Sequence, residues 1–132
     1  MRAIVNIDVP DLDAAIRFYR EALGLTLVRR LDAEVAELGG AAASVFLLQK
    51  TAGSEATPAA ERRRYERHWT PVHLDFVVDD VELAAERAMR AGASRESACV
   101  EWRGSRCITL SDPFGHGFCV IQFHGATYDD RA

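Results

Sequence analysis

No run of apolar residues in this 132-residue chain approaches the roughly 18 positions that a bilayer-spanning helix needs. The N-terminal stretch Met1 to Asp8 also lacks an apolar h-region and a small-residue cleavage site, which predicts a cytoplasmic protein with no membrane partner. A basic excess is missing too. Lys and Arg number 16 against 20 Asp and Glu, a net charge of -4, so the clustered cations that displace counterions from a phosphate backbone are lacking and nucleic acid is not an expected partner. Cysteine is scarce: Cys99, Cys107 and Cys119 are odd in number, at spacings of 8 and 12, which suits neither a CxxC metal pair nor a secreted disulfide framework and predicts free, buried thiols. What is present is ordinary for a globular body: 48% hydrophobic and 27% charged residues exclude disordered and fibrous classes and allow one compact domain with a real core.

That domain reads as one pattern written twice. Ala3 to Val9 alternates and is rich in Ile and Val, a strand signature. From Leu12 the period changes, with apolar Leu12, Ala15, Ile16, Tyr19 and Leu23 separated by polar residues, an amphipathic helix with Asp11 as N-cap and Gly24 just past its end. Strands follow at Leu25 to Leu31, Ala33 to Leu38 and Ala43 to Gln49, with Gly39-Gly40 as a turn. The arrangement restarts at Val72. His73 to Val78 forms a strand, Asp79 and Glu82 a capping box, Val81 to Met89 a helix closed by Gly92, and Ser97 to Trp102, Arg106 to Ser111 and Gly117 to His124 three more strands. A shift of 69 lays Asp11-Leu12-Asp13 on Asp80-Val81-Glu82 and Ile4 on His73. The expected fold is therefore α+β, a single domain over 1–132 made of two βαβββ units at 1–50 and 71–125.

The segment 51–70 between the units carries the run Glu61-Arg62-Arg63-Arg64-Tyr65-Glu66-Arg67. In an acidic chain such a run reads as a solvated tether or a short exposed helix, or as a flap over a site. Asp112-Pro113-Phe114-Gly115 specifies a tight turn before the last strand, with Asp capping at the first position and Pro presetting φ at the second.

Four stretches carry a family resemblance: Val9-Pro10-Asp11-Leu12-Asp13-Ala14-Ala15-Ile16-Arg17-Phe18-Tyr19 with Leu23-Gly24-Leu25; His73-Leu74-Asp75-Phe76-Val77-Val78-Asp79-Asp80; Trp102-Arg103-Gly104-Ser105-Arg106; and Asp112-Pro113-Phe114-Gly115-His116. Together they resemble the vicinal oxygen chelate superfamily, which groups glyoxalases, bleomycin-resistance proteins and extradiol dioxygenases. The resemblance implies two four-stranded units curling into a barrel-like cleft, usually completed in a homodimer. In the family's metal enzymes, ligands come from the first and last strands of each unit and hold a divalent ion that chelates substrate oxygens. On this chain those positions fall on Ile4, Leu47, His73 and Cys119, with Gln49 two residues beyond Leu47 on the same face. Only His73 is an ordinary ligand for a hard divalent ion. The expectation is thus no metal cofactor, a soft ion at His73 and Cys119 with Gln49 being the alternative.

His73 is open to three roles: a satisfied non-catalytic imidazole, a ligand contact, or a general base near neutral pH. Cys119 reads as buried and inert, because its apolar neighbours disfavour a thiolate. Trp102 with Arg106 could stack on and charge-pair with a planar or anionic compound, with Phe46 and Tyr65 as further lining, while Asn6 and Asp8 either reach the cleft or face solvent. The leading expectation is a metal-independent, homodimeric small-molecule binder of the bleomycin-resistance type. It would hold an apolar or aromatic compound among His73, Cys119, Gln49, Leu47, Ile4, Asn6, Trp102 and Arg106. The alternative is a lyase, isomerase or dioxygenase of the same superfamily working through His73, with or without a divalent metal.

Overall fold

A computed structural model describes residues 1–58 and 61–130. The chain divides into two compact units, Met1–Glu66 and Arg67–Ala132. Unit one contains β1 (Ile4–Val9), α1 (Leu12–Leu23), β2 (Thr26–Arg30), β3 (Val35–Gly39) and β4 (Ser44–Gln49). Unit two contains β5 (Leu74–Val77), α2 (Val81–Arg90), β6 (Ser94–Arg95), β7 (Val100–Trp102), β8 (Ser105–Ser111) and β9 (Gly117–Phe123). The α+β class and the repeated βαβββ plan are as the sequence predicts, with the two-residue β6 added.

In each unit the last strand pairs in parallel with the first, β4 with β1 and β9 with β5, and the remaining strands continue antiparallel to give orders β1-β4-β3-β2 and β5-β9-β8-β6, with β7 also on β8. A parallel neighbour needs a long crossover, and the helix after the first strand begins it. The helix packs one face of its sheet. Leu12, Ala15 and Ile16 of α1 are buried with Leu38, Val45 and Leu47, and Val81, Ala85 and Ala88 of α2 with Ile108, Leu110 and Val120. Burying one such Leu or Ile side chain is worth about 1.5–3 kcal/mol, so these two layers supply most of the apolar stabilisation.

Both helices start on an Asp N-cap. Asp11 sits at φ -143° and accepts from the Ala14 amide, and Asp80 sits at φ -137° and accepts from the Glu82 and Leu83 amides. The cap of α2 is thus Asp80 rather than Asp79, because Asp80 holds the extended conformation from which a carboxylate reaches the first-turn amides. A second partner serves the next orphan amide. Gln49 Oε1 accepts from Leu12 N at 2.9 Å, and Gln122 Oε1 accepts from Val81 N at 3.0 Å. The same glutamine at the end of the last strand therefore ties helix to sheet in both units.

Other sequence expectations shift by physical detail. His73 precedes β5 instead of opening it. Where Ser97 to Trp102 reads as one strand, only Val100–Trp102 is strand, because Ser97 Oγ accepts from Thr109 N and takes a position that a ladder carbonyl would fill. The basic run forms no helix among the described residues; Glu55 and Arg62 pair as an isolated antiparallel bridge, and Arg63 Nε donates to Asp8 at 2.8 Å. The Asp112 turn forms as specified: its Oδ1 accepts from Phe114 N and His116 N, both at 2.9 Å, and its Oδ2 lies 2.7 Å from His116 Nδ1.

Replacing Gln122 or Gln49 with Ala leaves a helix amide and its neighbourhood unsatisfied. Each variant is expected to lose about 1–1.5 kcal/mol, a fall of roughly 3–6 °C in Tm followed by far-ultraviolet circular dichroism.

Candidate functional site

Residues paired across a sheet share a face, so the registers decide which side chains lie opposite the helix. In unit two Asp75 pairs with Cys119, Cys119 with Thr109, and Cys107 with both Val100 and Ile121. These residues, with Phe123, Ser105 and Trp102 at one end and Gly117 at the other, form the helix-free face. In unit one the equivalent pair is Asn6 with Phe46, and Glu37 follows beside Phe46.

This register corrects one expectation. The counterpart of Cys119 is Phe46, not Leu47, because Phe46 stands opposite Asn6 as Cys119 stands opposite Asp75. A one-residue slip turns a strand side chain to the other face. Leu47 is fully buried on the helix face, and Gln49 is committed to the α1 amide on that same side. Neither lines the helix-free face. Ile4, about half exposed, and Asn6 do lie on it, and Asp8 is engaged by Arg63.

His73, Asp75 and Cys119 come together. His73 Nε2 is 3.2 Å from Asp75 Oδ1, and one donor atom from each of the three lies within 4.8 Å of the others, the one such three-residue group among the described residues. Cys119 Sγ is also 3.5 Å from Thr109 Oγ1. A cavity of about 190 Å³ opens beside this group, lined by Arg67, Trp69, Thr70, His73, Thr109, Gly117, Phe118 and Cys119. Arg67 crosses one wall: its Nε and Nη2 donate to Glu96 at 2.7 and 3.0 Å. Gly117 allows this, since a Cβ there would run into the guanidinium. The two-point hydrogen bond raises the Arg67 pKa and lowers that of Glu96, so the pair stays ionised. Trp69 is 79% exposed, apolar surface that a bound ring would cover.

Sequence reasoning did not name Arg67, Trp69 or Thr70 as site residues, although it allowed the segment 51–70 that contains them to be a tether or a flap over a site. The mixture of Trp and Thr beside the basic run was the available signal, but no periodicity marks a wall built from irregular chain.

Trp102 and Arg106 separate. Trp102 pairs with Ser105 on the helix-free face, whereas Arg106 pairs with Glu101 and Gln122 on the helix side. Both border an open hollow of about 480 Å³ at the sheet end, but alternation keeps them from gripping one ring from the same side. Trp102 is 59% exposed, which removes it from the core.

The three cysteines are free. Cys119 is buried, as expected, while Cys99 and Cys107 are only half-buried. Burial, then the neighbouring Cys119, pushes the Cys107 thiol up to about 12, and burial raises Cys119 as well. Both are neutral thiols at pH 7.

A model of the glyoxalase-like domain matches residues 4–121. The chain belongs to the glyoxalase-like domain family. It thereby joins the vicinal oxygen chelate superfamily, and solved structures agree on the fold. This glyoxalase-like chain is similar to the fosfomycin resistance protein FosX from Listeria monocytogenes, with TM-score 0.71 and 17% identity over 92% of each chain. It is also similar to a glyoxalase/bleomycin resistance protein/dioxygenase family enzyme from Burkholderia phytofirmans, with TM-score 0.70 and 20% identity over 91% of this chain and 96% of that one. TioX from Micromonospora sp. ML1 aligns with TM-score 0.66 and 19% identity over 96% and 99%. No curated protein matches the sequence.

The hard divalent ion that the superfamily implies is not matched by this donor set. Of the four positions, Ile4 and Phe46 carry no donor atom, and Cys119 offers a soft sulfur in place of a hard oxygen. With Asp75, His73 and Cys119 make a mixed group of one imidazole, one carboxylate and one thiol, which suits a soft ion better than a hard one.

The raised thiols generate a pH prediction. The folded Cys107 keeps its proton above 9.0 and up to about 12, so folding is favoured fully below pH 9 and this contribution is lost as pH rises through that window. Urea titrations are expected to show a steeper alkaline loss of stability in the wild type than in Cys107→Val. At pH 7.5 iodoacetamide should label Cys107 and Cys119 far more slowly in the folded protein than in urea.

Proposed function

We propose that this glyoxalase-like protein binds a small apolar or aromatic molecule in unit two without using a metal. The observation that carries the reading is the cavity beside His73 and Cys119: aromatic rings and a polar rim around the neutral Cys119 thiol, at positions where the superfamily's enzymes hold a cation. Small-molecule sites have this make-up of mostly apolar walls with a few placed polar groups. His73 would donate to or accept from the ligand, Thr109 would offer a hydroxyl, and Trp69 would close over the bound ring. The reading carries a homodimer with it, since β2 and the residue after it expose Val28 and Leu31, apolar surface that a second copy would cover. It also places the protein in the cytoplasm, where three unpaired thiols stay reduced.

A specific observation favours a second reading. The Asp75 carboxylate 3.2 Å from His73 Nε2 orients the imidazole, and an oriented imidazole is the group that a lyase or isomerase uses to take a proton from a bound substrate. The two readings diverge experimentally. For the binder, a library of aromatic compounds is expected to quench tryptophan emission with micromolar Kd, His73→Ala to weaken the best compound by about three- to tenfold, and no compound to be altered after incubation. Tightly bound metal at about one ion per chain in protein purified without a His tag would overturn the metal-independent reading. Turnover of a bound compound that is lost in His73→Ala and Asp75→Asn would replace it with the enzyme.

A further inference from the structure

Residues 67–70 run as irregular chain along the cavity, and Arg67, Trp69 and Thr70 of this strap line it. Strap, cavity and the groups that hold them all belong to unit two. The strap is tied at both ends. At one end the Thr70 hydroxyl donates to the Val72 carbonyl at 2.8 Å, just before β5. At the other the Arg67 guanidinium donates to both carboxylate oxygens of Glu96, at 2.7 and 3.0 Å, and to the His68 carbonyl. Glu96 is itself fastened to the sheet, because its amide donates at 2.8 Å to the carbonyl of Thr109, a cavity residue on β8. A partly exposed ion pair contributes little through charge alone, but a two-point carboxylate grip fixes the orientation of the guanidinium plane as well as its distance.

Gly117, the first residue of β9, is where the guanidinium crosses the sheet. A Cβ built there would lie 2.8 Å from Arg67 Cζ and closer still to Nη2. Gly117 is not among the glycines with positive φ, so its backbone conformation does not call for glycine. What the missing side chain provides is room for Arg67. Trp69 sits between the two ties. It is 79% exposed and enters no hydrogen bond, ion pair or ring contact among the described residues, so its place at the cavity is set by the chain on either side of it.

Resting on the small-molecule reading above, we infer that Arg67 and Glu96 are positioning residues of the cavity: their pair across Gly117 latches the strap 67–70 to the sheet and thereby fixes Trp69 where it meets an uncharged aromatic ligand. The latch acts through the indole and not through its own charge, because the Glu96 carboxylate already offsets the guanidinium.

The chain has two tryptophans, Trp69 and Trp102, and Trp102 lines no part of this cavity, so the full chain carrying Trp102→Phe reports on Trp69 alone. Three further substitutions in that parent loosen the latch in different ways. Arg67→Met keeps an unbranched stem without charge, Glu96→Gln removes the carboxylate, and Gly117→Ala retains both charges while pushing the guanidinium aside. In each, the emission anisotropy of Trp69 is expected to fall. The Kd of 2-naphthamide, followed by isothermal titration calorimetry, is expected to rise about three- to tenfold, with circular dichroism confirming that each variant folds. Gly117→Ala added to Arg67→Met is expected to move neither reading further, since the methyl then has no guanidinium to displace. Additive effects of those two substitutions would place the disturbance in β9 itself and overturn the inference. It is equally overturned by a 2-naphthamide Kd that stays put while the anisotropy falls, or by a parent that does not bind 2-naphthamide. Binding that persists with Trp69 anisotropy unmoved in all three variants overturns the latch alone and leaves the cavity reading standing, whereas that broader reading falls only when the whole aromatic library is silent.

Discussion

The parallel pairing of the last strand with the first in each unit is the constraint on which the rest depends. It forces a helical crossover, and that helix covers one face of the sheet and leaves the other without an intra-unit layer. Two glutamines hold the arrangement in place: Gln49 and Gln122 end the last strands and accept from the first amides of α1 and α2. Because helix position and strand register are fixed by the same side chain, the assignment of every β4 and β9 residue to a face follows from it. Cys119 is then obliged to lie opposite Asp75, and Phe46 opposite Asn6.

The chemistry of the helix-free face follows from which residues that register selects. Unit one presents an aliphatic, an amide and an aromatic side chain where unit two presents an imidazole, a carboxylate and a thiol. Only the second set carries titratable groups. There Arg67 pairs with Glu96, His73 lies 3.2 Å from Asp75, and burial keeps the Cys107 and Cys119 thiols protonated. Sharing a fold with fosfomycin resistance proteins leaves that chemistry undecided, since at under 25% identity the scaffold alone is common to them.

Much of the architecture was legible in the residues. The Asp11 cap, the Gly24 stop and the apolar spacing of α1 are local signals with local causes, and their echo at Asp80 and Val81 revealed the repeat. The turn at Asp112 was readable because proline and a capping carboxylate act within four residues. The candidate site was half legible: His73 and Cys119 were singled out and do converge. Leu47 was matched to Cys119, whereas the register matches Phe46 to Cys119 and Gln49 to Gln122, one residue away, and with a period of two that single residue reverses the face; Arg106 falls on the helix side with Gln122. Trp69 was not legible as a site residue, lying in irregular chain that no periodicity describes.

By itself, then, the order of amino acids determined the class of fold, the twofold plan and both helices, because each of these depends on residues close together in the chain or on a pattern that recurs. Tertiary structure alone decided that Phe46 replaces Leu47 opposite Asn6, that Arg67 lies across Gly117, and that Tyr128 closes on Trp102 and Phe123. Those outcomes rest on hydrogen-bond register and on contacts between distant segments, where a shift of one residue, about 3.4 Å, exchanges the buried face for the open one.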